Sequence, residues 1–468
     1  LADVIYVKPE ACGTGDGSSW ANAKGDLQDA VMAVKGGDEV RVAKGVYYWK
    51  SYVDVPAVVF SLFGGYAGED DDEAPDELAN RTIISGDTGK NDQWVVYNLR
   101  KRALEGVTTP ERTLGPVIVN GELSLPDESQ LTDDEMVTID TSLVTDNVQI
   151  MHCYSGNSGR DWCRPTIRGL WFVSAATGWR GAAIYVDSYY FLAENCHFIG
   201  CKADNGLVYV GNGKGDGRTM FRNCEFKWNI TNRGILYLAG NDYVVENVRI
   251  VGALHSSLVT ACAVVLDGGS GIRMSDFLIE KCYSESATTS PAAGIGGGPL
   301  SGSTFENGVI RHCWSRSATA ATAINACHAS VNNKALRFKN LLIASNHNVQ
   351  MPDKPIVCRG IVALGHDGNS LEGCTLLDNE VICLPTKTCK SVVAGTVSLT
   401  MREDGKAEPQ QPYRNVVNCT FQGNEITFPN GDGGADVTAA NSILVYGPTG
   451  GNPLECIIAN CTFVGGTD

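Results

Sequence analysis

Phe221-Arg222-Asn223-Cys224-Glu225-Phe226, followed three residues later by Asn229, is a phrase that this chain repeats. Another clear copy is Phe338-Lys339-Asn340-Leu341-Leu342-Ile343 with Asn346. With the first Asn taken as an anchor, the series runs Gly169, Asn195, Asn223, Asn247, Asp276, Asn307, Asn340, Gly373, Asn418 and Asn460. The intervals fall between 24 and 45 residues. A short fixed phrase with elastic spacers marks a solenoid, each repeat being one coil. Every anchor is Asn, Asp or Gly, the residues that tolerate a left-handed backbone, so each is expected to be a sharp corner.

The flanks of the anchor alternate. Phe221, Val245, Met274, Phe305, Phe338, Leu371, Val416 and Ile458 stand two residues before it. Pairs such as Cys224/Phe226, Val248/Ile250 and Leu341/Ile343 stand one and three after it. Period two on both sides of a bend describes two short strands turning a corner with one face inward. Six residues past the anchor a second polar column appears: Cys201, Asn229, Cys282, Cys313, Asn346, Asn379 and Asn424. It predicts an asparagine ladder. A third strand follows, as in Ile184-Tyr185-Val186, Val208-Tyr209-Val210 and Leu236-Tyr237-Leu238. Three strands per coil, stacked coil on coil, predict an all-β, right-handed parallel β-helix like that of pectate lyases, with about 12 coils, the handedness following the parallel-crossover rule. A propeller or sandwich would show blades of constant length joined by Asn-Gly or Asp-Gly hairpins, and that pattern is not read here.

Composition agrees with one long repeat stack. A chain of 468 residues exceeds a single compact core, whereas a solenoid extends without limit. Lys and Arg number 37 against 53 Asp and Glu, a net charge of −16. That excess argues against nucleic-acid phosphates and anionic membrane as partners. No apolar run is long enough to span a membrane, and no signal peptide is present. A secreted or cell-surface protein, monomeric and without membrane insertion, is the expectation.

Many of the 17 cysteines sit in the two inward columns. Stacked positions lie about 4.8 Å apart, near the short limit for a disulfide, so buried free thiols are expected. Zinc-ligand spacing is absent, and neither a metal nor a cofactor is expected. Cys153/Cys163 and Cys383/Cys389 are the two loop pairs that could bridge.

The amino-terminal 60 residues read as a cap. Asp26 is a candidate N-cap for a helix over residues 26–35, with Leu27, Ala30, Val31 and Val34 as its apolar stripe and Gly36 at its end. Such a helix would cover the open end of the stack. The Gly13–Ser19 loop lacks the helix and Lys of a phosphate cradle. Glu69-Asp70-Asp71-Asp72-Glu73 reads as a solvated loop. Residues 1–468 are thus expected to form one domain, with insertions at 100–146 and 383–413. A side hairpin is expected through Val117–Val119 and Glu122–Leu125. The carboxyl end shows no obvious cap, leaving room for a downstream segment or a partner.

Four stretches carry a resemblance: Gly15-Asp16-Gly17-Ser18-Ser19-Trp20, Val42-Ala43-Lys44-Gly45-Val46-Tyr47, Phe63-Gly64-Gly65-Tyr66-Ala67-Gly68 and Arg81-Thr82-Ile83-Ile84-Ser85-Gly86-Asp87. Together they resemble the amino-terminal pattern of secreted bacterial right-handed β-helix proteins. Phe226-Lys227-Trp228-Asn229 and Phe421-Gln422-Gly423-Asn424 are similar to the Phe-x-x-Asn element of polymorphic outer-membrane-protein repeats. The resemblance implies the fold and export, and it transfers no catalytic residue.

Function is less legible. Val208/Val210 and Leu236/Leu238 make the better inward pairs, which turns Tyr209, Tyr237 and, one coil earlier, Tyr185 outward. Three outward tyrosines one coil apart would form an aromatic strip for stacking sugar rings, with Trp179, Tyr189 and Tyr190 nearby. The same tyrosines also fit strand propensity and packing beneath a loop. No catalytic set is readable. Asp187 and Asp267 stand three coils apart, too far for a glycosidase pair. Arg180, Arg233 and Arg359 lack the acidic companions of a uronate lyase base, Gly365-His366-Asp367-Gly368 reads as a loop, and His312 and His328 adjoin the columns. The expected partner is a polysaccharide bound, or processed by lyase or hydrolase chemistry, along the tyrosine flank. The alternative is a noncatalytic adhesin or spacer presenting loops to a surface protein.

Overall fold

In the computed structural model all ten anchors adopt the left-handed conformation, from φ 50° at Asn247 to φ 66° at Gly169. The structure describes all residues except 1, 57, 155–163, 188–189, 212–218, 257–262, 267–270, 287–290, 298–301, 319–321, 327–335, 353–355, 359, 366–367, 387–388, 390, 401–413, 432–435, 447–455 and 466–468. The strand before each anchor joins a 13-stranded parallel sheet, and the strand after it joins a 12-stranded one. The chain is a right-handed parallel β-helix.

Nine of the coils have four strands instead of the expected three. A second left-handed corner falls five residues after every anchor: Ser174, Gly200, Trp228, Gly252, Lys281, His312, Ser345, Asp378, Gly423 and Gly465. A short strand follows it, such as Lys202–Asn205 or Ile230–Thr231, and these build a nine-stranded sheet. The tyrosine strands then form an 11-stranded sheet before the chain returns to the first. The first, second, third (tyrosine) and fourth (short-strand) sheets are named accordingly below.

Inward residues stack on their copies. Phe172, Phe198 and Phe226 are ring on ring at 5.0 and 4.6 Å, and the interior is one continuous cluster from Val7 to Phe421. The second polar column is buried with it. Asn379 Oδ1 accepts from both the backbone N–H and Nδ2 of Asn346 at 3.0 Å. Asn379 Nδ2 donates to Ile343 O at 2.8 Å, and its backbone N–H donates to Asn424 Oδ1. These bonds satisfy amides that the corner leaves without a ladder partner. The corner side chains at the surface also join, Asn247 Nδ2 donating to Asn223 Oδ1 at 2.9 Å.

Helix α1 (Leu27–Met32) caps the stack, shorter than predicted and ended at Ala33 before Gly36 is reached. The Asp26 side chain accepts from the Asp29 amide, and Leu27, Ala30 and Val31 enter the core. The acidic loop is less detached than expected: Asp71 Oδ1 accepts from the Trp20 amide at 2.8 Å. Cys196, Cys201, Cys224, Cys313 and Cys374 are buried free thiols, and so is Cys383, which forms no bridge to Cys389. Cys163, the partner named for Cys153, lies outside the described residues. On the last rung Ile458 and Phe463, which continue inward columns, are exposed.

Between Gly86 and Val148 the chain leaves the coil, and the Val148 amide donates back to Gly86 O at 2.9 Å. The excursion holds a three-stranded antiparallel sheet (Gln93–Asn98, Arg112–Pro116, Glu135–Ile139) and helix α2 (Leu99–Glu105). The expected hairpin is present, Ile118–Val119 against Glu122–Leu123. It turns through Asn120-Gly121, both left-handed, an Asn-Gly hairpin that the sequence reading overlooked. The excursion lies along the solenoid wall. Trp94 packs edge-on against Trp228 at 5.2 Å, and Arg102 pairs with Glu285 at 2.9 Å. Residues 391–400, read from sequence as insertion, form a long strand of the third sheet beside Val362–Leu364.

Replacing Asn379 with Ala strands several buried amide and carbonyl groups at about 1–3 kcal/mol each. The expected outcome is a stability loss of about 3 kcal/mol, read by denaturant titration. His255 is buried, with Nε2 donating to Asn232 O at 2.6 Å and the Ser284 hydroxyl facing Nδ1 at 3.1 Å. Burial pushes its pKa down to about 4. Its folded value lies below the unfolded one, so its contribution is complete above about pH 6.5 and is lost as pH falls through about 4. His255→Asn is expected to flatten the pH dependence of the melting temperature across that window.

Candidate functional site

The third sheet starts later than the first two, at Met151–Tyr154, and its outward column reads His152, Tyr185, Tyr209, Tyr237, Val265 in register. The inward neighbours Val186, Val208, Val210, Leu236 and Leu238 belong to the core. Outward orientation of the tyrosines is therefore as read from the sequence. Their environment differs from an open strip. The rings are only 4–6% exposed, and they stack on one another, Tyr185 on Tyr209 at 5.1 Å and Tyr209 on Tyr237 at 4.8 Å. His152 continues the pile, its ring 4.5 Å from that of Tyr185.

At the His152 end the column meets two segments. Residues 51–56 run alongside, with Asp54 bridged to His152. The Tyr52 hydroxyl lies 2.6 Å from His152 Nδ1 and 2.6 Å from Asp54 Oδ1. Asp54 Oδ1 also contacts His152 Nδ1. From the fourth sheet, strand Ala176–Arg180 brings Trp179 over Tyr185 at 5.4 Å, nearly parallel. Arg180 places its guanidinium 4.7 Å above the Tyr209 ring, and Gln149 Nε2 donates to Arg180 O and Gly181 O, holding this turn.

The electrostatics follow from this packing. Burial opposes charge on Asp54, yet bonds from Tyr52 and His152 outweigh it and hold the pKa below the usual carboxylate range. Burial, then the neighbouring Asp187 carboxylate, pushes the Tyr185 hydroxyl up to about 12. Burial and the bond to Asp54 likewise raise Tyr52. A Tyr–Asp–His group beside half-exposed Trp179 offers an aromatic face, a carboxylate and an imidazole in one place.

Of the sequence candidates, the structure gathers Trp179, Arg180, Tyr185, Asp187 and Tyr209 here. Tyr190 sits apart, under the Arg164 guanidinium. Arg233 lies on a turn after Thr231, and His312 is a half-buried second corner. Tyr189, Asp267, His328, Arg359, His366 and Asp367 lie outside the described residues. Tyr52, Asp54 and His152 were missed. They carry no repeat signature, and His152 stands about 100 residues from the other two. Among the described residues no group of three His, Cys, Asp or Glu side chains is placed to hold a metal ion.

No family model and no curated protein sequence matches the chain. Solved structures similar to it include the catalytic domain of a GH87 α-1,3-glucanase in complex with nigerose (8% identity, TM-score 0.35, covering 94% of this chain and 68% of that one). The pectate lyase Pel9A is similar at 12% identity and TM-score 0.27, over 92% of this chain and 78% of that one. The Agl-KA catalytic domain is similar at 10% identity and TM-score 0.30, over 88% and 64% respectively.

Tyr209, with a ring on each side, is the keystone of the column. Tyr209→Ala is expected to cost about 3–5 kcal/mol through the cavity it leaves, while Tyr209→Phe, which keeps the ring, is expected to cost less in denaturant titration. Equal stability of the alanine variant would show that the column is not a packed unit.

Proposed function

We propose that this protein binds polysaccharide on the flank of the third sheet, at the end of the column formed by His152, Tyr185, Tyr209 and Tyr237. The observation that carries this reading is Trp179: it is half exposed, backed by Tyr185, and set beside Tyr52, Asp54 and His152. Sugar rings stack on such indole faces, while the adjacent carboxylate and hydroxyl bond their equatorial hydroxyls. The tyrosines act as the floor that holds Trp179, and Tyr52 gives a second aromatic edge. Whether the bound chain is also cleaved turns on the Tyr52–Asp54–His152 group, which has the residue types for proton transfer. The chain forms one β-helix domain over residues 1–468, exported or displayed at the cell surface, and its corners are Phe-x-x-Asn repeats. The second reading, an adhesin or spacer, draws on the length of the stack and its many loops.

A glycan array with the intact chain separates the two. Trp179→Ala is expected to weaken the recognised glycan about tenfold, the worth of one aromatic contact, with the melting temperature unchanged. Binding unaffected by that change would remove the site. Absence of any glycan ligand would favour the adhesin.

A further inference from the structure

Away from that flank, the point where the excursion leaves and rejoins the coil gathers polar atoms without partners. Four of the buried side-chain oxygens that find no hydrogen bond lie here: Asp92 Oδ1, Asp146 Oδ1, Asn147 Oδ1 and Ser174 Oγ. Asp92 and Ser174 are at most 2% exposed. The residues are mutually fixed. Asn147 Nδ2 donates to Asp92 Oδ2 at 2.7 Å, which also settles that the orphaned Asn147 atom is the amide oxygen. Asp87 is bridged to Asn147, and its carboxylate accepts from the amides of Asn91 and Asp92 at 3.2 and 3.1 Å, shaping the 87–92 loop. Gly89 faces Asp146, and a Cβ there would collide with the Asp146 carboxylate. Ser174 is one of the second corners, held left-handed, and its hydroxyl lies near enough to the Asp92 carboxylate to favour the charged form, without reaching ordinary hydrogen-bond geometry.

Such a set is costly as it stands. A buried oxygen without a donor keeps its full desolvation penalty, and the charges acting on Asp92 are those of Asp87 and Asp146, both of its own sign. Two carboxylates, one amide oxygen and one hydroxyl form an all-oxygen donor set, which suits a hard cation and neither zinc nor copper. We propose that this junction is a structural calcium site, with Asp92, Asp146 and Asn147 as side-chain ligands and Ser174 as a fourth oxygen. Asp87 shapes the loop and adds negative charge without ligating, because its oxygens already accept amides. The ion ties residues 87–92 to residues 146–147 and to the coil at Ser174, so it clamps both ends of the excursion. A site of this kind is invisible to a spacing motif, since its ligands come from three separate segments.

The test is calorimetric titration of the chelator-treated intact chain with CaCl2, and with MgCl2 in parallel. One Ca2+ per chain is expected, with Mg2+ weaker because it demands tighter octahedral geometry. At a hundredfold excess over Kd the melting temperature should rise by about 2–5 °C, and proteolysis within residues 100–146 should slow. Asp146→Asn, at a half-buried position that leaves the core intact, should weaken Ca2+ binding at least tenfold, and Ser174→Ala should weaken it less. Asp133→Asn, on the exposed part of the excursion, should leave it unchanged. No Ca2+ binding, or binding that survives both Asp146→Asn and Ser174→Ala, overturns the proposal. A rise in melting temperature on Asp92→Asn without any Ca2+ effect would do the same, since the orphaned oxygens would then be served by proton or water.

Discussion

Each coil has to turn through two left-handed corners five residues apart, and the rest of the molecule is arranged around making those corners tolerable. A non-glycine residue in that conformation costs about 1–2 kcal/mol. At the first corner Asn meets the cost directly, because its side chain bonds the Asn of a neighbouring coil, as Asn223 Nδ2 does in donating to Asn195 Oδ1 at 3.1 Å. The second corner takes residues such as Trp228 and Lys281, which have no left-handed preference. Its logic lies outside the coil, in the excursion packed against it. Gly200 is glycine where the Trp94 ring leaves no room for a Cβ. Trp228 is gripped by that same ring at 5.2 Å, and Lys281 Nζ reaches Thr132 O at 2.7 Å.

That division explains what could be read. The first corner recurs ten times, and its alternating flanks and inward polar column recur in most copies as local rules, so the β-helix was legible from Asn223, Asn340 and their copies. The fourth strand was not, because Ile230–Thr231 is two residues long and its preceding corner is chosen by tertiary contacts. The excursion was seen through its charged stretch after residue 100. Its first strand, Gln93–Asn98, is as apolar as a coil strand, since it is buried between the antiparallel partners and the wall.

The site divides in the same way. The direction of Tyr185, Tyr209 and Tyr237 follows from which neighbours are the better core residues, and it was read correctly. Their covering was not, since exposure depends on loops and on segment 51–56 arriving from an earlier coil. Tyr52, Asp54 and His152 are brought together by a single bridge across about 100 residues. Nothing in the local chemistry of His152 announces that partnership.

The geometry of a stacked column then decides where an aromatic flank can meet a ligand. Parallel coils repeat at about 4.8 Å, longer than the contact distance of two flat rings by little more than an ångström. A second ring therefore cannot slip between Tyr209 and Tyr237, whose planes lie 23° apart at 4.8 Å. Identical aromatics in register fill one another's faces, and only the edge or the end of the pile keeps a face for something else. The third sheet begins later than the first two, so its column ends part-way along the solenoid, at His152. Trp179, half exposed against Tyr185, is the ring at that end whose second face is not taken up by a copy of itself. Register builds the aromatic column and closes it to stacking along its length, so recognition by stacking belongs at its terminus.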